Sequence, residues 1–227
     1  MHIRRLFAVA ALLAFGSAAS GQTFFFNNAG AIADGPGAPG IFGPARVMNA
    51  SSNSANPIQD VVVTITMSHT FIGDLRVRLG YTPTGSGTTT AFVLNRVGTL
   101  SAGANGDSSN LNGTYVFVLG ATSILSGVTS LDGAGILPTG AYAPVTSNLN
   151  QTHSVVEFAD FFRGLSGTGA WTLTFEDGAV IDTGTVTSAS IALQARRLPC
   201  LADFNTDGVV NTADLTFFLG RFGSACP

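Results

Sequence analysis

Lysine is absent from this 227-residue chain, and all ten of its basic residues are arginine. Charge of either sign is scarce, at 10% of residues against the usual ~25%, and the net charge is −3. Such a chain has no basic patch to gather phosphates, which argues against electrostatic binding of nucleic acid or acidic lipid. Long apolar runs are missing too. The longest, "LFAVAALLAFG", has about eleven residues, short of the ~18–20 that a membrane span needs. Catalytic vocabulary is equally thin. There is no HExxH, no subtilase-like "GTSMA" serine motif and no glycine loop of the phosphate-cradling kind.

What is present is apolar and turn-rich: 45% hydrophobic residues, 17 phenylalanines and 28 glycines. That is ample for a core and unlike a disordered chain. The N-terminus reads as an export signal: a basic start at Arg4-Arg5, the apolar run, then "SAASG" with cleavage between Ala19 and Gln22. The expected product is secreted or held at a cell surface, in an oxidising space where Cys200 and Cys226 can pair. The expected divisions are a signal peptide at 1–21, a β-domain at 22–195, a linker at 196–199 and a small module at 200–227.

Within the β-domain the hydrophobic period is two. Val61, Val63, Ile65, Met67 and His69 share one face of "VVVTITMSH". Leu75, Val77, Leu79 and Tyr81 alternate against Asp74, Arg76 and Arg78, and Trp171, Leu173 and Phe175 against Thr172, Thr174 and Glu176. Further alternating runs occupy Thr89–Val97, Thr114–Leu119 and Gly184–Gln194. Short alternating strands with no helical stripe predict an antiparallel β-sandwich. Leu100–Gly113 and Ala121–Thr152 read as long loops. Trp171 suits a sandwich core if its indole N–H finds a partner.

The order of "SHTFIGDLRVRL", "GAYAP", "GAWTLTFED" and "DTGTVTSASIAL" resembles the P domain, or Homo B domain, that follows the catalytic domain of kexin- and furin-like subtilases. The matching positions run from His69-Thr70 and Gly73-Asp74-Leu75, through Gly140, Tyr142 and Pro144, to Gly169, Trp171-Thr172-Leu173, Asp177, Asp182 and Gly184. The resemblance spans Phe24 to Leu193. It implies an all-β, jelly-roll antiparallel sandwich with a stabilising or accessory role and no catalysis. Two departures stand out: Ala189 where the family usually has an aromatic, and "VFVLGAT" where it often has acidic residues.

His69 and His153 are the only candidate bases left after signal removal. His69 reads as a structural histidine in a strand and His153 as a solvated one in a polar loop. "GLSGTG" misses the nucleophile-elbow spacing because Thr168 takes the fifth place. Glu157/Asp160 and Glu176/Asp177 read as surface charges. Asp74 and Asp177 sit where strands meet turns and suit local backbone hydrogen bonding; the alternative is a second calcium site shared by Asp177 and Asp182.

The tail carries the strongest motif. "DFNTDGVVNTAD" places oxygen ligands at the spacing of a twelve-position calcium loop: Asp203, Asn205, Asp207, the Val209 carbonyl, Asn211 and Asp214, with Gly208 at the sharp turn. These hard ligands suit Ca2+ and not zinc or copper. Asn211 can cap a helix whose Leu215, Phe218, Leu219 and Phe222 form one stripe. A loop with only an exiting helix resembles one repeat of a type I dockerin, and the segment between the cysteines resembles a "GC-type" dockerin-like anchor. True dockerins have two repeats and bind cohesins through positions matching Thr212 and Ala213. A Cys200–Cys226 disulfide would brace so small a module by about 3–3.5 kcal/mol.

The expected function is therefore a secreted, non-catalytic accessory or binding protein, docked to an unknown protein or cell-surface partner through its calcium-binding tail. The alternatives are an accessory module of a subtilisin-like serine endopeptidase, and a carbohydrate-binding jelly roll. The last needs an exposed aromatic platform, for which Tyr81, Tyr115 and Tyr142 are the tyrosines available.

Overall fold

The computed structural model describes residues 21–37, 41–99, 105–125, 135–148 and 152–194, together with the helical positions Thr212, Leu215, Thr216 and Leu219. Twelve strands are named in chain order: β1 Gln22–Phe25, β2 Gly30–Ile32, β3 Arg46–Asn53, β4 Asp60–His69, β5 Leu75–Pro83, β6 Thr89–Asn95, β7 Leu111–Ser123, β8 Gly140–Ala143, β9 Val145–Asn148, β10 Thr152–Val155, β11 Thr168–Asp177 and β12 Gly184–Gln194. A single-turn helix, α1 Phe158–Phe162, precedes β11.

One sheet has the order β1-β12-β4-β7-β8, with β2 also paired to β12, and a second has the order β3-β11-β5-β6. Pairing is antiparallel except between β7 and β8. The two sheets enclose one continuous core. The protein is thus all-β in the coarse sense expected, a two-sheet sandwich.

Alternation explains which side chains fill it. Val61, Val63, Ile65 and Met67 of β4 and Leu75, Val77, Leu79 and Tyr81 of β5 are all buried, as are Trp171, Leu173 and Phe175 of β11. Tyr81 stacks on Trp171 at 3.9 Å between centroids, and the Phe162 ring meets Trp171 edge-on at 5.3 Å. The indole N–H of Trp171 donates to Ser52 Oγ at 3.0 Å, supplying the partner a buried tryptophan needs. Phe158 and Phe162 of α1 close this end of the core, pinned by Ile58 N–H to Leu165 O and Gly164 N–H to Ile58 O.

Several elements depart from the sequence reading. The expected loop Ala121–Thr152 holds β8, β9 and the start of β10, and β7 begins at Leu111, inside the other expected loop. Strands of four residues show too few alternations to register as period two, and β8 is held by parallel pairing to β7. β1, β2 and β3 carry no clear apolar alternation. α1 is too short to show a helical stripe.

Candidate functional site

The polar centre of the molecule lies at the end of the sandwich opposite α1. It follows from the same alternation that builds the core. Continuing the inward parity of β4 brings His69 inside, and continuing that of β11 brings Asp177 inside, one from each sheet. Both side chains are fully buried, and His69 Nε2 lies 3.2 Å from Asp177 Oδ2. His69 Nδ1 accepts the Phe71 N–H at 3.2 Å, so the ring proton sits on Nε2 and is donated to Asp177. The other carboxylate oxygen of Asp177 accepts the Ala179 N–H at 2.9 Å.

Three loops converge on this pair. The Asp74 carbonyl accepts the Gly178 N–H, and the Asp177 carbonyl accepts the Gly43 N–H. Thr70 Oγ1 donates to Asp182 Oδ1 and accepts the Thr183 N–H, both at 2.9 Å, while Thr70 N–H returns to Thr183 O. The loop after β6 presses on Gly73, whose N–H donates to Asp107 O. A Cβ at Gly73 would lie 2.5 Å from Asn105 O and Asp107 N, so glycine is required for that approach. Arg96 holds φ +48° while buried, and its Nε donates to Gly73 O.

Asp74 carries the unusual charge environment. It is 3% exposed. Burial first, then the charges of Asp177 and Asp182, push its pKa to about 6; the Arg96 guanidinium opposes this and a hydrogen bond with Asp182 adds to it. Burial also lowers the pKa of Arg96, against the charge of Asp74. A carboxyl group that keeps its proton to near neutrality beside a second carboxylate is a shared-proton arrangement. It can store or release a proton; Asp74 itself is buried, while Asp182 is half-buried.

Glu176 and Asp177 are not the surface charges their spacing suggests. Both are buried. Glu176 survives burial because Arg76 Nε and Arg78 Nη2 both donate to its Oε2, at 2.8 and 2.9 Å. Burial alone would raise its pKa, but the hydrogen bond and charge of Arg76, with those of Arg78, outweigh it and hold the carboxyl below its ordinary value. Glu157 and Asp160 are exposed, as expected.

Other sequence candidates fall out differently. Asp177 accepts from His69 and Ala179, and Asp182 accepts from Thr70; no cluster of three or more metal-ligating side chains occurs among the described residues. His153 lies in β10, opposite Ser147 of β9, and not in a loop. Ser166 of "GLSGTG" accepts the Thr168 N–H with its Oγ and the Tyr81 hydroxyl with its carbonyl, a turn-building role. Tyr81, Tyr115, Tyr142 and Trp171 are all buried, so they form no aromatic platform. The calcium-loop residues Asp203, Asn205, Asp207, Val209, Asn211 and Asp214, and both cysteines, lie outside the described residues. Thr212, Leu215, Thr216 and Leu219 are helical; Thr216 Oγ1 donates to Thr212 O at 3.0 Å, and Leu215 and Leu219 are exposed.

The parity of β4 and β11 was the signal that could have located the His69–Asp177 pair. Nothing local pointed to the convergence of Asp74, Asp182 and Arg96, which are brought together by loops.

No family model matches this chain, and no curated protein does. Among solved structures, the crystal structure of a serine protease of Aeromonas sobria is similar at a TM-score of 0.39 and 16% identity, over 77% of this chain. This chain spans 26% of that protein's length.

Proposed function

We propose that this chain is a secreted, non-catalytic accessory or binding protein: a jelly-roll sandwich of the P-domain type, joined by a short linker to one dockerin-like calcium loop that attaches it to a protein or cell-surface partner. The observation that carries the non-catalytic part is the state of His69. Each ring nitrogen already has a partner, one in Asp177 and one in the Phe71 N–H, inside a fully buried pair. A general base needs a free nitrogen within reach of a substrate's proton; this one joins the two sheets.

The attachment part rests on the tail sequence. Asp203, Asn205, Asp207, the Val209 carbonyl, Asn211 and Asp214 are the proposed Ca2+ ligands, with Cys200 and Cys226 closing the module. Hydrolysis of casein and of peptide esters by the purified mature chain should not exceed the buffer control. Stoichiometric labelling by a fluorophosphonate would overturn the reading. Calorimetric titration of the same chain with Ca2+ should show binding on the order of 10⁻⁴–10⁻³ M, the range of extracellular modules, and Asp203→Ala and Asp214→Ala should abolish it.

A further inference from the structure

The two sheets differ in what they show to solvent. The outer face of the β3-β11-β5-β6 sheet carries Arg76, Arg78 and Glu176. The outer face of the other sheet carries no ionisable side chain at any outward position from Val62 to Ser68, Asn112 to Val118 or Thr185 to Ala192. Asp60 and Gln194 close it at one end.

This face is made of hydroxyls and methyl groups, and its polar atoms are partly satisfied within it. Thr66 Oγ1 and Thr114 Oγ1 lie 2.9 Å apart across adjacent strands, leaving their methyl groups to cover the surface. Removing such a face from water strips no charge of solvent, and its remaining hydroxyls need partners across the contact. Phe25, 76% exposed and opposite Ser190, projects from β1 at its margin.

We propose that this face docks a second copy of the chain, sheet against sheet. A charge-free surface meets itself without electrostatic penalty: a two-fold operation places hydroxyl and methyl rows against like rows with no like-charge conflict. Two copies of one sheet share the same twist, the condition for aligned face-to-face packing. At the β2 edge, strand addition is hindered because Arg46 Nε already donates to Ala31 O. The seven- to eight-residue spans of β4, β7 and β12 and the four residues each of β1 and β8, at ~3.3 Å per residue and ~4.8 Å between strands, outline just under about 500 Å² per copy. Two such faces bury about 1,000 Å², the lower end for a specific interface, so the dimer is weak and reversible. Phe25 supplies the aromatic anchor such interfaces concentrate their energy in. The face lacks the aromatic stacking array that a polysaccharide surface calls for, which favours a protein copy as the occupant.

Sedimentation velocity of the mature full-length chain, from about 1 µM to about 1 mM, covers the range a weak interface of this size occupies. The wild type should pass from monomer to dimer. Ser188→Glu and Thr114→Glu, both at exposed positions, should each weaken dimerisation at least ~10-fold by setting charges in a dry contact, with circular dichroism and melting unchanged. A wild type that stays monomeric throughout overturns the proposal, as does a dimer that survives both Glu variants. A dimer dissolved by Leu219→Arg but not by Ser188→Glu assigns association to the tail and overturns it too. Depletion of the monomer from solution by insoluble cellulose, abolished by Thr114→Glu, would assign the face to a polysaccharide instead.

Discussion

Replacing Asp74 with asparagine should make this protein more stable at neutral pH. The wild-type carboxyl has a pKa of about 6 when folded against an ordinary 3.8, so the folded state holds its proton more tightly than the unfolded chain. For an acid shifted upward, the linked stability is fully present below the unfolded value and is lost as pH rises through the folded one. The window is therefore pH 3.8 to about 6. Between about pH 4.5 and about pH 7.5 the wild type should lose about 2 kcal/mol from this group alone, and about 3 kcal/mol over the whole window.

The amide introduced by Asp74→Asn cannot ionise, and its N–H can donate to Asp182 at every pH. It forgoes the attraction between Asp74 and Arg96, which reduces the gain. The expected net effect at about pH 7.5 is about 1–2 kcal/mol of added stability, or roughly 3–6 °C in Tm for a domain of this size. The assay is urea unfolding of wild type and Asp74→Asn at both pH values. The two curves should lie close together in acid and separate toward neutrality, with the variant above. If the variant shows the same pH slope as the wild type, or is the less stable protein at about pH 7.5, the shared-proton account of Asp74 and Asp182 is wrong.

Ser52→Ala should cost about 1–3 kcal/mol in chemical denaturation, because it leaves the buried Trp171 N–H without its acceptor; an unchanged midpoint would show that another acceptor replaces it. Glu176→Gln should destabilise by about 1–2 kcal/mol at neutral pH by replacing the charged acceptor of two arginine donors with a neutral amide oxygen. Since burial is outweighed by Arg76 and Arg78 and the folded pKa lies below 4.5, that difference should persist above 4.5 and vanish as pH falls through the depressed value. His69→Ala should cost about 3–5 kcal/mol by leaving the buried Asp177 carboxylate with the Ala179 N–H but without its His69 donor, and the double variant His69→Ala/Asp177→Ala should recover part of the loss. Cys226→Ser should loosen the tail, read as faster proteolysis after residue 195, and leave the melting of the sandwich nearly unchanged.

How much of this was legible in the sequence depends on what kind of information alternation carries. The long strands follow from the chain's own pattern. In β4, β5 and β11 each residue's side of the sheet follows from counting by two, and the inward set Val61 to Met67, Leu75 to Tyr81 and Trp171 to Phe175 is the observed core, whereas in β12 a bulge between Val186 and Ser188 shifts the count by one. The need of Trp171 for a partner was equally legible, though not that Ser52 would be the acceptor. Strands of three or four residues, such as β2 and β8, present one or two alternations and are formed by pairing with neighbours distant in sequence.

The electrostatics arise only once the strands are assembled. Glu176 is a buried, doubly paired carboxylate because β5 lies beside β11 in a register that sets Arg76 opposite it. Asp74, Asp182 and Arg96 meet because three loops leave the two sheets at the same end. The charge-free outer face belongs to no single strand; it exists because β12, β4 and β7 lie side by side, with β1 and β8 beyond them. Period two tells a side chain which way to face. It says nothing about which strand will lie next to it, and both the charge centre and the charge-free face depend on that neighbour.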